Sequence, residues 1–180
     1  MDEVFYHSSP TPLETGSTIL PGNYGNIIQH YGSNHPLFER EMLLEEIRKI
    51  NYPEKPSRLN CCFLCRTIPE MLLYLRLNCF DQYQYIYEAA ICQTDKELHI
   101  GNYCCLPPTK DSPPVAGKEP KQLTIDYWEH NDSSQKMHVP QYPGVPLFEV
   151  VTASPIRLVS SGTPFHSGNI PFQNPFLQPE

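Results

Sequence analysis

The sequence contains few glycines and none of the short motifs that mark common nucleotide and hydrolase sites. Only 9 of its 180 residues are glycine, and G-x-G-x-x-G, G-x-x-x-x-G-K-[ST] and G-x-S-x-G are all absent. It also has no apolar run of the roughly eighteen residues that a membrane span needs, and no signal-like start. These absences exclude the usual dinucleotide, P-loop and nucleophile-elbow sites. They predict a cytoplasmic protein without a membrane partner, or one delivered into another cell without a cleaved signal.

Positive charge is also scarce. The chain has 13 Lys and Arg against 20 Asp and Glu, so its formal net charge is −7. An acidic protein has no global attraction to nucleic acid or anionic lipid, although a local basic groove can still bind a phosphate backbone. The balance therefore favours a protein partner and leaves nucleic acid possible.

Proline is abundant, with 20 residues, and this density argues for many short elements rather than a helical bundle. The patterns predict strands at 4–7, 59–65, 82–94 and 97–106, helices at 35–50 and 69–78, and a loop at 20–26. FEVV and PIRLV, near residues 148–159, predict a bent strand or a hairpin. We expect an α+β domain of antiparallel sheets at 1–160, followed by a Pro-rich extended tail at 161–180.

The seven cysteines indicate reduced, buried side chains rather than a metal site. Six of them lie among apolar residues, as small hydrophobes do. Cys62 and Cys65 form a C-x-x-C, but no second pair follows at zinc spacing. We therefore expect no metal, and a zinc-dependent regulator remains a remote alternative.

Three segments, in their order along the chain, resemble the ADP-ribosyltransferase superfamily. FYHSSPTPLETGSTILPG is similar to the opening of small bacterial enzymes such as the rifampin-modifying transferases, and FLCRTIPEMLLY is similar to their aromatic strand, turn and helix. PLFEVVTASPIRLVSS resembles the late glutamate strand of the DNA-modifying toxins. PSRLNCCF, IGNYCCL and DYW also resemble an uncharacterised bacterial domain family grouped with this superfamily.

The resemblance implies two small antiparallel sheets around an NAD cleft, with two or three flanking helices. It implies that Glu149 is catalytic and stabilises the positive charge that develops on the ribose. The same resemblance implies NAD contacts for His7 and Phe63, and Ser8, Arg58 and Tyr24 are further candidates for such contacts. Phe63 would stack on the nicotinamide ring, and His7 would hydrogen-bond the adenosine-side ribose, with Ser8 as a further polar contact beside it. Arg58 would face the pyrophosphate, and Tyr24 would cover the adenine or nicotinamide end of NAD+.

Five of these six residues also have a simpler interpretation. Glu149 fits the alternation of an outward-facing strand residue, Phe63 fits a strand core, and His7 fits a strand end that faces water. An ion pair is an equal alternative for Arg58, and Tyr24 would be a loop aromatic packed on its own domain. The chain also departs from the family pattern, with Phe63 in place of a tyrosine and Asn102 in place of an acid.

The predicted function is mono-ADP-ribosyl transfer from NAD+ to a macromolecular acceptor, with a protein favoured. Proteins of this superfamily include secreted effectors, toxins and defence proteins, so these roles follow from the resemblance alone. A non-catalytic binding module with the same fold is the alternative from another class. NAD+ hydrolysis, with water as the acceptor, is a third.

Overall fold

The structure is a computed structural model that describes residues 3–79, 81–93, 98–110, 117–129 and 147–169. In this part of the chain, eight strands form two antiparallel sheets, and four α-helices pack around them. The mixture confirms the predicted α+β class. No helix in the described ranges is long and apolar enough to cross a membrane.

The larger sheet is built around the long strand β4, Tyr83–Ile91. Strand β1, Phe5–Ser9, pairs along one side of β4. The other side is shared by β7, Ile156–Leu158, and β8, Thr163–His166, while β2, Thr18–Ile19, pairs beyond β7. The order is therefore β1-β4-β7-β2, with β8 as the extra partner of β4.

The smaller sheet has β6, Phe148–Thr152, between β3, Cys62–Leu64, and β5, Leu98–Asn102. One bridge ties it to the larger sheet, because the backbone amides and carbonyls of Tyr6 and Cys65 bond reciprocally at 2.8 and 2.9 Å. The two sheets therefore meet where β1 passes the end of β3. Apolar side chains fill the space between the sheets, among them Phe5, Cys62, Leu64, Tyr87, Val150, Ile156 and Leu158.

The four helices are α1, Asn23–Tyr31; α2, Phe38–Asn51; α3, Ile68–Asn78; and α4, Pro120–Glu129. The start of α3 follows the sequence signals closely. Thr67 accepts from the Glu70 amide, the Glu70 side chain accepts from the Thr67 amide, and Pro69 lies in the first turn. This capping box confirms the helix predicted at 69–78.

Several local predictions are wrong. β6 and β7 are neither a hairpin nor one bent strand, because they pair in different sheets. The predicted loop at 20–26 contains the start of α1, and the predicted strand at 59–65 begins with a 3₁₀ turn, Arg58–Asn60. The first part of the predicted tail forms β8, which pairs with β4, and the remainder from 170 lies outside the described residues.

Candidate functional site

A pocket of about 530 Å³ opens where the two sheets meet. Its size is in the range of small-molecule sites. Strand β1, the start of α1, strand β3 and the first half of β6 all contribute to its wall. The lining residues include five of the six candidates from the sequence, namely His7, Ser8, Tyr24, Phe63 and Glu149.

The strand register explains why Phe63 and Glu149 share this pocket. Phe63 pairs with Val151, and Glu149 lies two residues before Val151, so both side chains project from the same face of the small sheet. The alternate residues of these strands, including Leu64 and Val150, project into the core between the sheets. One face of the sheet therefore supplies core side chains, and the other places Phe63 and Glu149 in the pocket, whose lining also includes Cys62 and Leu64 from the first face.

Glu149 is buried rather than outward-facing, with 3% of its surface exposed. Its Oε1 accepts from the Arg58 guanidinium and from the Tyr127 hydroxyl, the latter at 2.8 Å. Gly101, the cross-strand partner of Glu149, makes room for this tyrosine, since a Cβ there would lie 2.3 Å from the Tyr127 ring. The simple interpretation of Glu149 as a solvated strand residue is therefore wrong.

Arg58 lies behind the pocket and not in its lining. Its side chain is buried, its Nη1 contacts Glu149 and Tyr127, and its Nε donates to Glu41 at 2.9 Å. The negative charges of Glu149 and Glu41 outweigh burial and hold the pKa of Arg58 well above its usual value. Of the two roles considered for Arg58, the structure shows the ion pair and not an open pyrophosphate contact.

Glu41 is the acid that sequence reasoning missed. It lies in α2 with 1% of its surface exposed, and it accepts from Arg58, Arg40 and the Tyr24 hydroxyl. Burial acts to raise its pKa, but Arg58 and Arg40 outweigh burial and hold the pKa below its usual value. A glutamate beside arginines in a charged helix resembles a solvated face, so only its position one turn before the buried Leu44 hinted at burial.

Tyr24 lies in the first turn of α1 and not in a loop. Gly25 lets α1 approach the 3₁₀ turn closely, because a Cβ there would lie 1.9 Å from the Leu59 carbonyl oxygen. The Tyr24 ring meets Phe63 edge to face with 5.1 Å between the centroids, and its hydroxyl donates to Glu41 at 2.9 Å. The centroid of the Phe63 ring in turn lies 4.9 Å from the Arg58 guanidinium carbon. The two aromatic side chains are thus held by the ion-pair cluster behind them.

His7 lies on β1 in the pocket lining next to strand β3, with Ser8 beside it. Its Nδ1 bonds the Phe63 carbonyl oxygen at 3.1 Å, and because a carbonyl only accepts, Nδ1 carries the proton. Burial lowers the pKa of His7 despite this bond. A neutral His7 then presents Nε2 as an acceptor, which is the chemistry that a ligand hydroxyl needs.

The charge of the pocket favours a particular class of ligand. The described residues of the lining include no Lys or Arg, and Glu149 is the acidic residue among them. Burial raises the pKa of the Cys62 thiol to about 11 and that of Cys65 further, so both thiols are neutral. The described ranges contain no cluster of three His, Cys, Asp or Glu residues suited to a metal ion. The pocket therefore suits a flat neutral or cationic ring and hydroxyl groups.

A family model described as "Protein of unknown function (DUF2441)" matches residues 14–140, which include Tyr24, Glu41, Arg58, Phe63 and Tyr127. His7 and Glu149 lie outside the matched segment. No curated protein matches the chain. Since the match spans more than half of the sequence, the chain belongs to the DUF2441 family.

Proposed function

We propose that the protein is a mono-ADP-ribosyltransferase that takes ADP-ribose from NAD+ and transfers it to a macromolecular acceptor. The observation that carries the proposal is the convergence of His7, Ser8, Tyr24, Phe63 and Glu149 on one pocket. His7, Ser8, Phe63 and Glu149 come from three separated segments that resemble ADP-ribosyltransferases, and 142 positions separate His7 from Glu149. Two small antiparallel sheets that meet at this pocket are compatible with the fold that the resemblance implies.

The proposed role of Glu149 follows from the chemistry of the bond that breaks. Departure of nicotinamide leaves positive charge on the ribose, and a carboxylate held close to the sugar stabilises that charge. Arg58 and Tyr127 both contact Oε1 of Glu149, which leaves Oε2 for a ribose hydroxyl. Because both contacts come from buried groups, the carboxylate does not need to reorganise as the charge develops.

The pocket charge also supports one orientation of NAD+. The nicotinamide ring is a flat cation, and aromatic faces and a carboxylate attract such a ring. Phe63, Tyr24 and Glu149 provide these groups, so the nicotinamide would lie beside them. The pyrophosphate would lie toward the start of α1, where no side chain caps the helix and the first turn contains no acid. His7 would bond the adenosine-side ribose through Nε2.

The acceptor is proposed from charge alone. A formal net charge of −7 favours a protein acceptor, and a nucleic-acid acceptor remains the alternative. Water as the acceptor would make the protein an NAD glycohydrolase. A non-catalytic binding module is favoured by two departures from the enzymes that the chain resembles, namely Phe63 in place of a tyrosine and Asn102 in place of an acid.

The test uses purified protein, NAD+ labelled in its ADP-ribose part, and a cell lysate. Free nicotinamide and label on macromolecules are measured for wild type, for Glu149→Gln and for Glu88→Gln, an exposed strand glutamate that serves as the matched control. We expect wild type and Glu88→Gln to release nicotinamide and transfer label, and Glu149→Gln to be at least about 100-fold slower. Release without label would identify water as the acceptor. A folded wild type that produces neither would contradict the proposal.

A further inference from the structure

Glu41 has more partners than a helix glutamate needs for stability. Its carboxylate accepts from Tyr24 on α1, from Arg58 in the 3₁₀ turn and from Arg40 on its own helix. Burial of a carboxylate costs several kcal/mol unless it is fully paired, and an apolar residue at such a position is often equally stabilising. The position of Glu41 therefore points to a role in supporting the pocket from behind rather than in stabilising the core.

The geometry of Arg58 shows what Glu41 contributes. The guanidinium gives one edge to Glu41, with Nε to Oε2 at 2.9 Å and Nη2 to Oε1 at 3.3 Å. A two-point contact of this kind fixes the plane of the guanidinium as well as its position. The remaining nitrogen, Nη1, contacts Glu149 and the Tyr127 hydroxyl. Without Glu41, Glu149 would hold Arg58 through that one nitrogen alone.

Charge balance leads to the same conclusion. Arg58 and Arg40 offset Glu41 and Glu149, so the buried cluster is neutral as a whole. Loss of the negative charge on Glu41 would leave two arginines beside one carboxylate, and Arg58 would be free to turn toward it. The carboxylate in the pocket would then lose its fixed direction.

We infer that Glu41 is a positioning residue for Glu149, because its two-point contact orients Arg58 and thereby fixes the carboxylate that Arg58 presents to the pocket. Glu41 itself does not line the pocket, so it acts through Arg58 and through the Tyr24 hydroxyl. The expected effect of Glu41 on turnover rests on the proposed function. Its expected effect on the orientation of Arg58 does not depend on that function.

The test that is independent of turnover observes the Arg58 side chain by ¹⁵N NMR. A guanidinium fixed on both sides rotates slowly about its Nε–Cζ bond and gives separate Nη signals, which Arg58→Lys removes and so assigns. We expect these signals in wild type and their merging in Glu41→Gln. Glu45→Gln is the matched control, one turn along the same helix, and Glu45 bonds Arg48 and Ser57 instead. Unchanged Arg58 signals in folded Glu41→Gln would overturn the inference.

The second readout is the kinetics of nicotinamide release. We expect Glu41→Gln to lower kcat by about 10- to 100-fold with KM nearly unchanged, since binding surfaces stay in place while the carboxylate loses its direction. A change of this size in KM with no change in kcat would contradict the positioning role. If wild type releases no nicotinamide, the proposed function fails, and the NMR result still decides the role of Glu41.

A further variant covers the possibility that Glu41→Gln does not fold. Glu41→Asp keeps the charge but withdraws the carboxylate by one methylene, so the contact with Arg58 is reduced to one point. We expect the Arg58 Nη signals of Glu41→Asp to exchange faster than those of wild type. Its kcat should lie between the wild-type value and the lower value expected for Glu41→Gln. Wild-type values for both would overturn the inference.

Discussion

The two faces of the small sheet are built from the same three strands and differ in what they bury. One face places Cys62, Leu64 and Val150 against apolar residues of the larger sheet. The other places Glu149 against Arg58 and Tyr127 and presents Phe63 to the pocket. Apolar burial stabilises a fold directly, whereas a buried ion pair offers little net stability in return for its desolvation. We infer that the first face mainly holds the domain together, with Cys62 and Leu64 also lining the pocket, and that the second face supplies the pocket's aromatic and charged groups.

The largest effect is expected when Arg58, the cation shared by Glu41 and Glu149, is removed. Arg58→Met leaves Glu41 and Glu149 buried without their shared cation, and we expect unfolding free energy to fall by about 3–5 kcal/mol. Urea denaturation measures this loss. Arg66→Met is the control, because the Arg66 side chain is 39% exposed in its pair with Glu70 and should contribute less than about 1 kcal/mol. Equal stability of Arg58→Met and wild type would show that the cluster is not the buried network described here.

A change on the apolar face should lower stability without changing ligand binding. Val150→Ala removes two methyl groups from the core between the sheets, and we expect a loss of about 2 kcal/mol in unfolding free energy. Because Val150 projects away from the pocket, NAD+ affinity should stay within about twofold of wild type at temperatures where both are folded. Denaturation and calorimetric titration on the same sample measure the two quantities. A large loss of affinity would show that the faces are not separable.

The smallest effect is a dependence of stability on pH. The pKa of Glu41 is held below its usual value of 4.5, so its ionised form stabilises the folded state. That contribution is complete above the unfolded pKa and is lost as pH falls through the folded one. We expect Glu41→Gln to weaken this acid dependence, measured by urea denaturation between neutral and acid pH. Identical pH profiles for wild type and Glu41→Gln would contradict the assigned ionisation.

Sequence patterns predicted the fold well where the local structure depends on residues close together in the chain. The capping box at Thr67 and the alternation of β4 depend on residues close in sequence. β6 and β7 were misjudged because a short connection suggests a hairpin, yet their partners lie far away in the chain. The pattern predicts a loop at the start of α1 because Gly22 and Gly25 are typical of loops, whereas here Gly22 takes a positive φ as the residue before the helix and Gly25 allows the close approach to Leu59.

The site was predictable only in part for a similar reason. His7, Phe63 and Glu149 were identified by resemblance, and the pocket contains all three. Glu41 and Tyr127 were not identified, because their importance arises from contacts with Arg58 that cross from α2 and α4 to the 3₁₀ turn. Periodicity describes one element at a time and does not predict which charged side chains of different elements are buried together.

The most direct test of the account is calorimetric titration of NAD+ into Glu149→Gln, which should bind NAD+ without consuming it. We predict one site per chain, with an affinity at least about tenfold weaker when Phe63→Ala is added, since the nicotinamide would lose its aromatic contact. Tyr83→Ala, which removes an exposed aromatic outside the pocket lining, should leave that affinity unchanged. Absence of NAD+ binding to folded protein, or binding that is indifferent to Phe63, would contradict the account.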